Sequence, residues 1–351
     1  MTYRAAILGC GGISRAHSWG YERAGIPIAA AADIARENAD RLAQEFNIPH
    51  TYSDYRRLLE EVRPEIVSIC TWPPLHEEMA LAAVESGARG IACEKPLALS
   101  LESADRIINA CRERGVALII GHQRRYEEPW LAARAKLASG EIGTPERVVL
   151  SQGGDLQSDV VHGLDLVFFI LGESQAEWVI GQIHRDKAEG VPESGAGGLP
   201  GTKVEEGGWR YGHPVEHIAI VDVGLDSGVR VVAESGRIKS AKGYFQITVI
   251  GSDGFLRATP EGALTVVNGS GVQSASFDPH QTRSSYGAAF RDLARLIDGE
   301  IDDHRMDAKY HRKSLEIVMA AYESARRRGL VRLPLEIGDS PLLRMVEAGE
   351  V

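Results

Sequence analysis

Tyr3-Arg4-Ala5-Ala6-Ile7-Leu8-Gly9-Cys10-Gly11-Gly12-Ile13-Ser14 opens the chain with a short apolar run, a glycine turn and the start of a helical stretch, Arg15 to Arg23. Strand, glycine turn and helix in that order make the entry of a dinucleotide-binding fold. Gly9 allows the tight turn, and Gly11 lets a pyrophosphate approach the backbone. The helix N-terminus offers N–H groups and a partial positive charge. Ser14 stands where the pattern has its last glycine, and is small enough for close helix packing. The next apolar run, Ile28 to Ala32, ends at Asp33, about 20 residues beyond the turn. A carboxylate there would accept both ribose hydroxyls of NAD and repel the 2′-phosphate of NADP. It would equally serve as the N-cap of a helix over Ala35 to Phe46. Arg36 is either an exposed helix charge or a group that stacks on the adenine and makes NADP acceptable.

The alternation then repeats. Helices are expected over Asp54 to Glu61, Leu75 to Ser86 and Leu101 to Arg114, the last capped near Ser100. Between them lie the apolar runs Ile66 to Cys70, Ile91 to Cys93 and Val116 to Gly121. Such alternation with short links predicts a doubly wound parallel sheet, with ligands bound beyond the C-terminal strand ends. Those ends carry the glycine turn, Asp33, Thr71-Trp72-Pro73-Pro74, Glu94-Lys95 and His122-Gln123, so one rim gathers the polar candidates.

Past Gly121 the pattern changes. Helical stretches at Glu128 to Ser139 and Asp159 to Leu171 flank a strand at Arg147 to Ser151. Alternating β-type runs follow at Trp178 to His184, Glu216 to Val223, Val229 to Glu234, Gln246 to Gly251 and Ala263 to Val267. Turn sequences Asp226-Ser227-Gly228 and Ser252-Asp253-Gly254 imply antiparallel pairing. Residues 187–208, rich in Gly, Pro and charge, read as a loop. Helices are expected at Tyr286 to Leu296 and Lys309 to Arg327, the latter with Leu315, Val318, Met319 and Tyr322 on one face. The organisation is a dinucleotide-binding domain over 1–122 and an α+β domain with a large, open, mostly antiparallel sheet over 123–351.

Composition agrees with a globular protein: 351 residues, 44% hydrophobic and 25% charged. A formal net charge of −10 argues against nucleic acid or an anionic membrane as partner. There is no long apolar run to span a membrane, and the N-terminal residues read as a first strand rather than a signal peptide. Four cysteines without a CxxC pair suggest buried thiols of a reducing cytoplasm, with no disulfide frame and no metal site.

Two further groups carry chemistry. Glu94-Lys95-Pro96 ends the apolar run Gly90 to Cys93, and Pro96 stops the strand and sets the lysine on a defined turn. An ammonium there can polarise a carbonyl or assist loss of a hydroxyl proton. The tripeptide alone would also suit an ordinary surface turn. In Ser158-Asp159-Val160-Val161-His162, Asp159 and His162 are spaced to share a helix face. The imidazole could take a hydroxyl proton near neutral pH, with the carboxylate orienting it. The plainer alternative is a capping Asp159 and a core histidine. Asp165 reads as structural.

Together these residues resemble the glucose–fructose oxidoreductase, inositol dehydrogenase and MocA (Gfo/Idh/MocA) family. The resemblance runs through Gly9 to Ser14, Asp33, Thr71-Trp72-Pro73-Pro74-Leu75-His76, Cys93-Glu94-Lys95-Pro96-Leu97, Gln123-Arg124-Arg125-Tyr126, His162-Gly163-Leu164-Asp165 and Ser314 to Ala325. It implies NAD(P)-dependent oxidation of a secondary hydroxyl on a sugar, cyclitol or glycoside, and a homodimer or homotetramer formed through the C-terminal sheet. Lys95 would be the catalytic lysine and His162 the general base. Gly9, Gly11, Gly12 and Ile13 would hold the pyrophosphate and Asp33 the adenosine ribose. Thr71, Trp72, Pro73, His76 and Glu94 would line the cofactor, and Gln123 its nicotinamide side. Arg125, Tyr126, Asp159, Trp209, Arg210 and Tyr286 are candidate substrate contacts. Two departures stand out. Ser158 occupies the place of the family's usual aspartate, with Asp159 one position later. The loop at Trp72-Pro73-Pro74 lacks the usual asparagine amide and adds an indole, which lies near the nicotinamide pocket or packs in the core. An NAD-retaining redox glycosidase and a non-catalytic dinucleotide sensor are the alternative functions.

Overall fold

The computed structural model describes residues 3–185, 208–236 and 244–351. The chain forms two compact units, residues 1–126 with 280–311 and residues 127–279 with 312–351. A single cut after residue 122 therefore differs from the observed division, because the segment 280–311 returns to the first unit. The expected loop over 187–208 lies outside the described residues except for Gly208.

The first unit begins with β1 (Ala5–Leu8), α1 (Gly12–Ala24), β2 (Ile28–Ala32), α2 (Arg36–Phe46), β3 (His50–Tyr52) and α3 (Tyr55–Val62). It continues through β4 (Ile66–Ile69), α4 (His76–Glu85), β5 (Gly90–Cys93), α5 (Leu101–Arg114) and β6 (Ala117–Ile120). The six strands lie in the order β3-β2-β1-β4-β5-β6, and every pair is parallel. The central strands β1, β4 and β5 are buried on both faces, which is why they read as unbroken apolar runs. Strand order reverses between β1 and β4, so the crevice beyond their C-terminal ends is the topological switch point.

In the second unit, α6 (Glu128–Ala138), β7 (Pro145–Gly153), α7 (Val161–Leu171) and β8 (Ala176–His184) come first. A small hairpin, β9 (Trp209–Arg210) with β10 (His213–Pro214), precedes the strands β11 (Ile218–Leu225), β12 (Arg230–Gly236) and β13 (Phe245–Gly251). After these come β14 (Gly254–Ala258), β15 (Ala263–Asn268) and β16 (Gly271–Ser276). The chain then returns to the first unit with α8 (Thr282–Ile297), and ends with α9 (Ala308–Arg327), β17 (Val331–Arg332) and α10 (Pro341–Glu347). Among the described residues nine strands form one sheet in the order β16-β15-β14-β13-β7-β12-β11-β8-β17. Of the pairs among them only β7–β12 is parallel. Burial alternates along β11, so residues 219, 221 and 223 face inward. Leu315, Val318, Met319 and Tyr322 of α9 are fully buried. A side chain at Gly181 would lie 2.4 Å from the Ala321 carbonyl, so α9 sits directly on β8.

Packing explains the return of 280–311. A Cβ at Gly20 of α1 would lie 2.7 Å from Tyr286 Cβ, so the missing side chain lets α8 press against α1. Beside it the Tyr21 and Phe290 rings stack at 4.2 Å. Burying aromatic pairs of this kind contributes about 0.5–1.5 kcal/mol beyond their area.

Candidate active site

The glycine turn leaves β1 with Gly9 at φ +88°, and a Cβ there would lie 2.7 Å from Thr71 Cγ2. Two strand-end loops therefore meet across the switch point with no room for a side chain. Gly11, by contrast, faces open space. No side chain caps α1 and no acidic residue sits in its first turn, which leaves its N–H groups and partial positive charge available to an anion. Ser14, fully buried, donates from its hydroxyl to the Gly11 carbonyl at 2.6 Å. Uncapped helix end, open Gly11 and tight Gly9 fit a dinucleotide pyrophosphate.

Asp33 stands at the end of β2 but does not cap α2. The cap position falls at Ala35, whose N–H donates to Asp33 Oδ1 at 2.9 Å. Cys10 N donates to Asp33 Oδ2 at 2.8 Å, tying the carboxylate to the glycine turn. Arg36 is exposed and reaches Asp40 at 3.2 Å. Ile34 next to it is 95% exposed.

At the end of β4, Trp72 is 51% exposed, which removes the core-packing alternative for its indole. It precedes the turn Pro73–Leu75 and so leaves the sheet rather than entering it. His76 is fully buried, with Nδ1 2.9 Å from the Pro96 carbonyl and Nε2 3.0 Å from the Thr71 carbonyl. Burial lowers its pKa against the pull of those two carbonyls. The ring thus joins the loop after β4 to the loop after β5.

Glu94 and Lys95 follow β5. Glu94 is almost fully buried, and its Oε1 accepts from His17 Nε2 at 3.0 Å and from the Tyr286 hydroxyl at 2.7 Å. An ionised carboxylate only accepts, so His17 Nε2 carries a proton toward it. His17 Nδ1 lies 2.8 Å from Ser68 Oγ, which in turn lies 2.7 Å from the Tyr21 hydroxyl. Burial alone would raise the Glu94 carboxyl; the bonds and charge of His17, the charge of Lys95 and the Tyr286 hydroxyl hold it below its ordinary value. Lys95 therefore sits beside a fixed negative charge, and its own N–H points to Glu94 Oε2 at 3.3 Å.

Gln123 opens a short turn over Gln123–Tyr126. Arg125 is 1% exposed and stacks over the Tyr310 ring at 4.7 Å. The Tyr126 hydroxyl donates to Asp292 at 2.9 Å. Both side chains thus take part in the first unit's own packing. Tyr286, expected near a loop end, is likewise buried on Glu94.

In the second unit, the helix expected from Asp159 begins with a π turn, Leu156–Val160, before α7. Asp155 caps this turn by accepting from Ser158 N at 2.7 Å, so capping does not fall to Asp159. Asp159 is held instead by Arg210, whose Nη1 lies 2.5 Å from it and 2.9 Å from Asp155. All three are buried. An arginine between two carboxylates satisfies charges that would otherwise be costly to bury. His162 lies in the first turn of α7, half-buried. Ser158, in the place of the family's aspartate, lies 3.3 Å from His213 Nε2. Trp209 is half-buried on β9, and Asp165 is buried within α7.

The structure thus sets Gly9, Gly11, Gly12, Ile13, Asp33, Thr71, Trp72, Pro73, Glu94, Lys95 and Gln123 along adjacent strand ends of one sheet. His17, Ser68, Glu216 and His311 were not expected from sequence. Ser68 lies in an apolar strand, His17 and His311 on helices and Glu216 in the link before β11, with no local spacing to mark their partners.

A parallel sheet with a glycine turn at the switch point and an acidic residue after β2 defines a dinucleotide-binding fold. Residues 3–122 match the family described as oxidoreductase family, NAD-binding Rossmann fold. That match, to the Gfo/Idh/MocA family, covers about a third of the chain. It is 31% identical over 149 residues to inositol 2-dehydrogenase of Azotobacter vinelandii, covering 41% of this chain and 44% of that protein. The chain therefore matches less than half the length of that curated relative. D-apiose dehydrogenase of Paraburkholderia graminis is 24% identical over 385 residues, covering 99% of this chain and 94% of the relative. An oxidoreductase from Agrobacterium radiobacter, solved with NAD+, L-tartaric acid and magnesium, superposes with a TM-score of 0.79 at 21% identity, over 95% of this chain and 98% of that one. That likeness shows the shared fold.

Proposed function

We propose that this protein oxidises a secondary hydroxyl of a sugar, cyclitol or glycoside. The observation that carries this reading is Lys95 at the mouth of β5 beside the ionised Glu94, on the same rim as the glycine turn and Asp33. The relatives named for inositol and apiose support the substrate class.

Gly9, Gly11, Gly12 and Ile13 would hold the pyrophosphate of NAD on the α1 N-terminus, and Asp33 the ribose. Thr71, Trp72, Pro73 and Gln123 would line the rest. Bound NAD supplies the hydride acceptor. His162 takes the hydroxyl proton, and Lys95 stabilises the negative charge that develops on the substrate oxygen. Glu94, held by His17 and Tyr286, accepts from the Lys95 backbone N–H and so fixes that residue's place on the rim. Asp159 supports His162 from the start of its helix, with Arg210 fixing that carboxylate.

The outer face of the second unit's sheet exposes Ile180, Ile218 and Ile220, all turned to one side. We assign that face to a homodimer or homotetramer contact. Four free, buried cysteines suit a reducing cytoplasm.

A panel of sugars, inositols and aryl glycosides, read for NADH absorbance and for aglycone release, tests the proposal. NADH formed with a polyol or sugar supports it. Aglycone release without net NADH would assign a redox glycosidase instead, and silence in both readouts would refute an enzyme of either kind.

A further inference from the structure

The loop that carries Lys95 is also gripped from the returning segment. His311 lies in the first turn of α9, and His122 follows β6; both rings are buried. Leu97 N donates to His311 Nε2 at 3.0 Å, and His311 Nδ1 lies 2.6 Å from His122 Nε2. A backbone amide can only donate, so His311 Nε2 must present a lone pair and the ring's proton sits on Nδ1. That N–H then donates to His122 Nε2, which leaves the proton of a neutral His122 on Nδ1. The reverse direction would strip His311 of both protons, an imidazolate. A second proton on either facing nitrogen would set N–H against N–H. Burial and the charges of Arg125 and Lys95, against that of Glu94, hold His122 well below its ordinary pKa, in agreement with a neutral ring.

The bonds run one way, from Leu97 to His311 to His122. Leu97 is two residues past Lys95, and Pro96 between them has its carbonyl on His76. The loop is therefore fixed at successive backbone groups by two imidazoles from different elements. We propose that His311 and His122 are positioning residues for Lys95, a neutral hydrogen-bonded pair that holds the loop so that its ammonium meets the substrate oxygen in one geometry. This rests on the role given to Lys95 above.

The first test is the imidazole nitrogen spectrum of ¹⁵N-labelled protein between pH 6 and 8. Both rings should appear as Nδ1–H tautomers, the less common form, and stay unchanged over that range. An Nε2–H tautomer at His311, or titration of either ring, overturns the pair. The second test compares His311→Phe, which keeps the ring volume and loses both bonds, with His311→Gln, whose amide oxygen can still accept from Leu97. Exchange of the Leu97 amide should quicken about tenfold or more in the phenylalanine variant and return toward the wild-type rate in the glutamine one. Turnover should fall about tenfold in His311→Phe and recover in His311→Gln, with NAD affinity changed less than about twofold. Unchanged turnover with faster Leu97 exchange would overturn the positioning role. Should His311→Phe fail to fold, the wild-type tautomers and the glutamine variant decide. If the wild type oxidises no polyol, the proposed function falls by itself, and the tautomers and Leu97 exchange still judge the pair.

Discussion

Replacing Glu216 by glutamine should leave the protein about as stable as before near pH 4 and increasingly more stable than the wild type as pH rises from there toward 8. Glu216 is fully buried, with Oε1 accepting from Leu156 N at 2.6 Å and Oε2 from the Tyr322 hydroxyl at 2.8 Å. Burial and the charge of Asp155 push its carboxyl up to about 8, against the bonds from Leu156 and Tyr322. The folded protein thus keeps a proton that the unfolded chain releases at a pH of about 4.3. Stability from that proton is complete below the unfolded value and is lost as pH rises through the folded one. Between pH 6.5 and 8 the loss is roughly 1–2 kcal/mol, a few degrees in melting temperature for a unit of this size. His76, His122 and His304 are lowered by burial and act in the opposite sense, but only below about 6.5. The cysteine thiols are raised and act only above about 8.5. Thermal melts of wild type and Glu216→Gln at pH 6.5 and 8 isolate the effect. The wild type should lose stability across that interval, and the variant should lose less by the amount above. Parallel losses in the two proteins would refute a protonated Glu216.

Lys95→Ala should cut turnover by about 10²–10⁴ while NAD still binds; equal activity in a steady-state assay would remove Lys95 from the chemistry. Asp33→Ser should shift preference toward NADP, read as the ratio of kcat/KM for the two cofactors, and an unchanged ratio would withdraw the ribose assignment. At Gly121 an added Cβ would lie 2.4 Å from Glu94 Oε1, against a carboxylate that His17 and Tyr286 hold in place. Gly121→Ala should therefore cost about 1–3 kcal/mol in urea unfolding, and a loss well below that would show that the carboxylate can move.

Where a local pattern decided the structure, sequence reading located the element closely. The helix read over Leu101 to Arg114 with its cap at Ser100 has those bounds, because Ser100 Oγ accepts from Ser103 N at 3.2 Å. The strands β13 and β15 lie within two residues of their expected limits. By contrast β16 is exposed along its whole length, so no apolar alternation marks it; pairing with β15 alone makes it a strand. The capping role weighed for Asp33 went to Ala35, and that weighed for Asp159 to Asp155. In both cases backbone geometry chose between carboxylate positions that sequence could not separate.

The amino-acid order alone determined the alternating parallel sheet, the glycine turn at its switch point, the acidic residue after β2 and the lysine after β5. Each depends on neighbours within a few residues, through backbone propensity and the period of apolar side chains. Only the tertiary structure decided that Glu94 is held by His17 and Tyr286, that Arg210 binds Asp155 and Asp159, and that His311 reaches Leu97. Those bonds join residues far apart in the chain, and hydrogen-bond partners at such separations leave no periodic trace. They exist because buried polar groups must find a partner in three dimensions.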